Sequence, residues 1–350
     1  MQRSHYTLYS KGEIGTLKLK NRFVRSATYE PGLQATRRMS DEVLDRYRAL
    51  TKGGAGLLIG TVFHSSYRDT RPIDGIERIP EVVHAIDERC KVATQVGVTL
   101  DDINGCSTAE IRKVIKCIGD DIELSRMFGF DAAQIHAAHS FTVNQILSPV
   151  TNHRDDMYGG SVENRCRFIR EIVNHAREKV GDYPICIKLP AKDVGKGGIS
   201  FETFPAFAEE IRRCGVDAIE ISIGYTSDKP AYRRSVSGIH TKERESYFFP
   251  FAEAIDLDIP VMVVGGSRHV DRCEELLKTG KVDFISMCRP LICEPDLPNR
   301  WLEGRGKDTA ECIFCNSCYE SYEEIGLPNQ CIYKQDKGLY RIVQERLNRG

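Results

Sequence analysis

Apolar runs of five to seven residues recur along the chain, and most are followed by a stretch whose apolar residues repeat at helical spacing. The runs fall at residues 23–28, 56–61, 91–96, 131–136, 184–189, 217–222, 259–265 and 282–287. Helical spacing follows at 41–52, 80–89, 107–128, 161–179, 201–214, 241–255 and 270–279. Ser40 is placed to cap the first of these helices, which Gly53 and Gly54 stop, and Ser107 and Ser161 open two others. Eight strand–helix units with no break in composition predict one (β/α)8 TIM barrel. A doubly wound sheet is the alternative. It would want a glycine fingerprint after the first strand, and Arg25-Ser-Ala-Thr28 has none. The alternating segment 14–22 predicts a small N-terminal hairpin, and 337–349 a short amphipathic helix. The expected division is a barrel over 1–305 and a cysteine-rich C-terminal extension over 306–350.

Charge and composition narrow the partners. The 350 residues carry 49 Lys and Arg against 50 Asp and Glu, a net charge of −1, and the two signs are interspersed. No basic stripe suits nucleic acid or an anionic membrane, so a small-molecule substrate is expected, with a homo-oligomer as the assembly. No apolar run approaches the ~18 residues of a membrane span, and the N-terminus lacks a signal-peptide core, which predicts a cytoplasmic protein. Of thirteen cysteines, nine sit singly in apolar contexts, where a reducing compartment leaves them as small core residues. The other four, Cys312, Cys315, Cys318 and Cys331, are separated by two, two and twelve residues. Four thiolates so spaced suit a [4Fe–4S] cluster or, less naturally, a tetrahedral zinc ion.

Ligand contacts in a TIM barrel come from the C-terminal ends of its strands, and this chain places its unusual residues there. Gly265-Gly266-Ser267 ends the seventh strand and Cys288-Arg289-Pro290 the eighth, together matching the phosphate site of glycine turn and helix N-terminus that such barrels often carry. Arg289 can add a charge-assisted bond to that phosphate. The fourth strand ends at His136, with His139 three residues on, so that both imidazoles can face a ligand across the barrel mouth.

The segment 136–165 contains His136-Ala-Ala-His139, Asn144-Gln-Ile-Leu-Ser-Pro149 and Tyr158-Gly-Gly-Ser-Val-Glu-Asn-Arg165. This ordered series resembles the Old Yellow Enzyme family of FMN-dependent oxidoreductases. The resemblance implies that Ser26, Ala27 and Thr28 lie beside the isoalloxazine, that Gly60 lets the backbone approach, and that Gln95 bonds the pyrimidine edge. Lys188 stands where the family often has arginine, and a cation there would stabilise negative charge on the reduced flavin. His136 and His139 would bind a substrate oxygen and polarise an adjacent C=C bond for hydride attack.

Two features set the chain apart within that resemblance. The family's usual proton donor is a tyrosine two residues past the second histidine position, where this chain has Phe141; either Tyr29, Tyr225 or a water substitutes, or the preferred reaction is not a standard enone reduction. The HxGR sequence that commonly follows the third strand is also missing. The cysteine spacing resembles that of the trimethylamine dehydrogenase and 2,4-dienoyl-CoA reductase branch. The expected function is hydride transfer from NADH or NADPH, through FMN, to an activated alkene or related electrophile. An amine-dehydrogenase-like enzyme and a flavin and iron–sulfur electron-transfer protein are the alternatives.

Overall fold

The computed structural model describes residues 7–30, 33, 36–64, 72–100, 102–194, 196–224, 236–319 and 330–347. Eight parallel strands close into a barrel: β3 (Phe23–Arg25), β4 (Leu57–His64), β5 (Lys91–Gly97), β6 (Ala132–His136), β7 (Ile185–Pro190), β8 (Ala218–Ser222), β9 (Val261–Val264) and β10 (Phe284–Met287), with β10 pairing back onto β3. An antiparallel hairpin, β1 (Gly12–Ile14) and β2 (Leu17–Leu19), precedes them. The outer helices are α1 (Asp41–Lys52), α2 (Arg78–Ile86), α3 (Thr108–Met127), α4 (Thr142–Leu147), α5 (Val162–Val180), α6 (Phe204–Arg213), α7 (Phe249–Glu253) and α8 (Val270–Lys278). Then follow α9 (Arg289–Cys293), α10 (Leu297–Leu302), α11 (Ile332–Gln335) and α12 (Lys337–Leu347).

Local signals fix the starts of the three longest outer helices. Ser107 and Glu110 form a reciprocal capping box at the start of α3, and Ser40 and Ser161 accept backbone N–H groups at the starts of α1 and α5. The single helix expected over 241–255 is instead a 3-10 turn at Lys242–Arg244 followed by the short α7. Two causes are visible. Ser246 takes a left-handed φ of 51°, and Pro250, lacking an N–H, can only open a new helix.

Side chains alternate across each barrel strand, so residues two apart share a face. One apolar cluster joins strand residues Val24, Ile59, Ala93, Ala132, Cys186, Ala218, Met262 and Phe284 with Ile14, Leu17 and Leu19 of the hairpin, which plugs that end of the barrel. Two residues further along the same strands come Ser26, Gln95, Gln134, Lys188, Glu220 and Ser286, all buried. The interior therefore changes from apolar to polar toward the C-terminal ends of the strands, and this polar layer is the floor of the site. A larger cluster, running from Leu8 to Ala310, packs the helices against the outside of the barrel.

Candidate active site

A cleft of about 630 Å3, counting its open mouth, lies over that floor. Of the residues that the sequence nominates, Ser26, Ala27, His139, Lys188, Gly265, Gly266, Cys288 and Arg289 line it. Ser222, Tyr247, Phe314 and Tyr319 complete the wall without having been nominated.

The floor is a chain of buried hydrogen bonds. Gln95 Nε2 donates to Gln134 Oε1 at 2.7 Å, Gln134 Nε2 donates to Glu220 Oε2 at 2.7 Å, and Lys188 Nζ donates to Glu220 Oε2 at 2.6 Å and to Ser26 Oγ at 2.9 Å. The ladder places Gln95 opposite Gln134, and Lys188 between His136 and Glu220. Lys188 is thus a fully buried cation with a carboxylate partner, which a cation in this position requires. Burial alone would push the Glu220 carboxyl up, but the Lys188 ammonium and the bonds from Lys188, Ser26 and Gln134 hold it below the usual carboxylate range.

Above the floor, His136 ends β6 and the chain then turns through two left-handed residues, His139 (φ 61°) and Ser140 (φ 63°). The turn brings the rings of His136 and His139 edge to face at 5.1 Å. His139 Nε2 lies 2.8 Å from Ser222 Oγ, and the Phe141 ring lies 4.4 Å from the His136 ring, tilted by 41°. His136, though buried beside it, is not in the cleft lining. Tyr29 is 41% exposed, and Tyr225 lies outside the described residues.

The glycine turn after β9 leaves room that no other residue would. Gly265 and Gly266 have φ of 131° and 83°, and a Cβ would come within 2.7 Å of the Tyr247 ring at Gly265 and 2.9 Å of Ile239 at Gly266. Glu245, buried beneath this turn, accepts the backbone N–H groups of Arg268 and His269 and bonds the His269 ring, fixing the start of α8. Arg289 lines the cleft, with one of its nitrogens already engaged. Its Nη1 donates to Val236 O at 2.8 Å and Asn316 Oδ1 at 2.6 Å, and its guanidinium lies 4.6 Å over the Phe314 ring.

Three other nominated residues lie off the cleft. Thr28 Oγ1 is 3.1 Å from Cys288 Sγ, Gln95 sits deeper in the floor, and a Cβ on Gly60 would meet Tyr47 Oη at 2.9 Å. Gly60 is therefore explained by packing against α1. Glu220 and Gln134 escaped the sequence reading although each interrupts an apolar strand, and a charge inside a buried strand was the available signal.

Cys312, Cys315, Cys318 and Cys331 line one neighbouring cavity of about 320 Å3. Arg289 and Phe314 belong to both walls. The left-handed Phe314 (φ 53°) and Asn316 (φ 64°) fold the cysteine loop around this space. Among the described residues, no three His, Cys, Asp or Glu side chains converge closely enough to hold a single metal ion. Burial pushes the Cys312 thiol up to about 12 and the Cys318 thiol up as well, whereas a hydrogen bond from the Cys293 thiol brings the Cys331 thiol down.

Comparisons with known proteins bear on the family and the fold. Residues 75–308 match the NADH:flavin oxidoreductase / NADH oxidase family. A metal reductase of Desulforamulus reducens is 27% identical over 95% of this chain and 54% of its own length. A bilirubin reductase of Clostridium symbiosum is 27% identical over 93% of this chain and 96% of its own. The fold is shared with a 2-naphthoyl-CoA reductase, at a TM-score of 0.79 and 21% identity over 93% of this chain and 56% of that one. The chain spans about half the length of several of these proteins. With two thirds of its residues inside the family match, the chain belongs to the NADH:flavin oxidoreductase / NADH oxidase family.

Proposed function

We propose that the cleft binds FMN and that the chain uses it to pass hydride from NADH or NADPH to an activated alkene or related electrophile. The observation that carries this reading is the placing of His139 in the same cleft as Lys188 and the Gly265-Gly266 turn. The residues fit the cofactor: a Cβ at Gly265 or Gly266 would clash with Tyr247 or Ile239, so the turn meets the cleft with bare backbone, and Ser286 Oγ in the cleft lining is buried without a hydrogen-bond partner among the described residues. Bound FMN supplies the two-electron chemistry. Ser26 and Lys188 would hold its pyrimidine edge, and the backbone around Gly265, Gly266 and Cys288 its phosphate. His139 and His136 would take a carbonyl oxygen of the substrate and draw charge from its conjugated C=C bond. Phe141 offers no proton, so protonation falls to another group or to water.

The test separates the two half-reactions. Anaerobic NADH or NADPH should bleach the flavin absorbance of the purified protein, and cyclohexenone should restore it. His139→Ala should slow the restoration by ~10²-fold or more, as expected for loss of an oxyanion donor, while leaving the bleaching nearly unchanged. Protein that carries no flavin after reconstitution sinks the reading.

Electron transfer with an outside partner is the second reading, favoured by the cysteine cavity that shares a wall with the cleft. Four cysteines lining one space are the donor set that an iron–sulfur cluster takes at its corners. Anaerobically purified protein should contain about four iron and four sulfide per chain. Cys318→Ser should lose most of both. Iron-free protein with four alkylatable thiols in this segment would exclude the cluster. The thirteen unbridged cysteines support residence in a reducing cytoplasm.

A further inference from the structure

We propose that Glu220 is a positioning residue for the flavin reaction, holding the Lys188 ammonium in the barrel floor and offsetting its charge, so that bound flavin has a lower reduction potential than lysine alone would set. The inference rests on the FMN placement proposed above.

The floor brings three facts together. Lys188 and Glu220 are both fully buried, their side chains 2% and 0% exposed, and Nζ to Oε2 is 2.6 Å. Glu220 takes a second hydrogen bond from Gln134 on the same oxygen, so its position is set from two strands at once. Lys188 donates also to Ser26, a residue of the cleft wall, which aims the ammonium at the cleft rather than down the barrel axis. An ionised pair at this spacing presents the cleft with a dipole and no net charge.

The difference matters because reduction adds negative charge to the flavin. An uncompensated ammonium at the floor would favour the reduced form in a medium where charges are weakly screened. A carboxylate 2.6 Å behind it cancels much of that preference. The balance of flavin redox states is then set by the pair, with Glu220 acting through Lys188 and not by contact with a reactant. A purely structural role for Glu220 would act differently, since a loosened floor weakens oxidised and reduced flavin alike and leaves their ratio unchanged.

The experiment measures that ratio in reconstituted wild-type protein, Glu220→Gln and Glu220→Asp, as dissociation constants for oxidised and reduced FMN together with the midpoint potential by dye-coupled titration. Glu220→Gln keeps the side-chain volume and an acceptor for Lys188 but removes the charge. The preference for reduced over oxidised FMN should rise about tenfold or more, which for a two-electron couple is a potential about 30 mV more positive. Glu220→Asp keeps the charge but withdraws it from Nζ, and should shift the potential in the same direction by less. If Glu220→Gln does not fold, the Asp variant still decides the matter, because an unchanged or lowered potential there overturns the proposal. An unchanged ratio in either folded variant with FMN still bound sinks the role of Glu220 alone. Failure of the wild-type protein to bind FMN removes both this inference and the site assignment beneath it.

Discussion

Phe141 is the residue at which this protein departs most from the family pattern, and its setting makes the departure testable. The ring lies 4.4 Å from His136 and caps the start of α4, so a hydroxyl added at its edge changes chemistry with little change of packing. General acid catalysis contributes about 10²–10⁴-fold. Phe141→Tyr is expected to speed the reoxidation of reduced protein by cyclohexenone at least tenfold in stopped-flow traces, with flavin reduction by NADH unaffected. Equal reoxidation rates would mean that another group delivers the proton. Sequence reading reached Phe141 and both histidines because they sit in a long ordered motif. It did not reach Ser222, which contacts His139 from a strand 83 residues away.

At the scale of the element, the loop between α4 and α5 is held by one charged staple. Arg154 donates to Asp156 through Nε and Nη2 and to the carbonyls of Ile103 and Cys106 through Nη1, while Asp156 accepts from Thr108 and from the backbone of Tyr158. This ties the start of α3 to the loop that leads out of the histidine segment. The bond from Arg154 brings the Asp156 carboxyl down to about 2, against about 3.9 for an unfolded aspartate. A depressed carboxyl stabilises the fold above its unfolded value and loses that contribution as pH falls through its folded one. Asp156→Asn should therefore cost ~1 kcal/mol at pH 7, discounted for solvent exposure, and the gap to wild type should close between about pH 4 and pH 2. Urea melts at pH 7, 4 and 2 check this, and a gap constant with pH would contradict it.

Across the whole molecule, Arg289 joins the barrel to the cysteine segment. Its guanidinium bonds Val236 and Asn316 and covers Phe314, and it borders both cavities. Arg289→Ala should leave the carbonyl of Val236 and the amide of Asn316 without their charged donor, at ~1.5–3 kcal/mol, and so loosen both sites. The expected result is faster FMN loss on dialysis together with faster alkylation of Cys312, a buried thiol, and of the half-buried Cys318. Flavin loss with unchanged thiol protection would confine Arg289 to the flavin side.

Strand and helix periodicity, with Ser and Gly at the helix ends, was enough by itself to determine the (β/α)8 barrel, because each unit's pattern is local and the units repeat. The histidine pair, the glycine turn and the cysteine spacing were legible for the same reason: each lies within a few residues of sequence. The 3-10 turn at Lys242–Arg244 was not, since the helical spacing around it gives no sign of the left-handed Ser246 that breaks it before Pro250 opens α7. Only the closed barrel decided that Lys188 faces Glu220 across one pair of strands, that Gln95 and Gln134 extend the same floor, and that Arg289 turns toward Asn316. Those choices depend on strand register and on partners 27 to 162 residues apart, which no local pattern encodes.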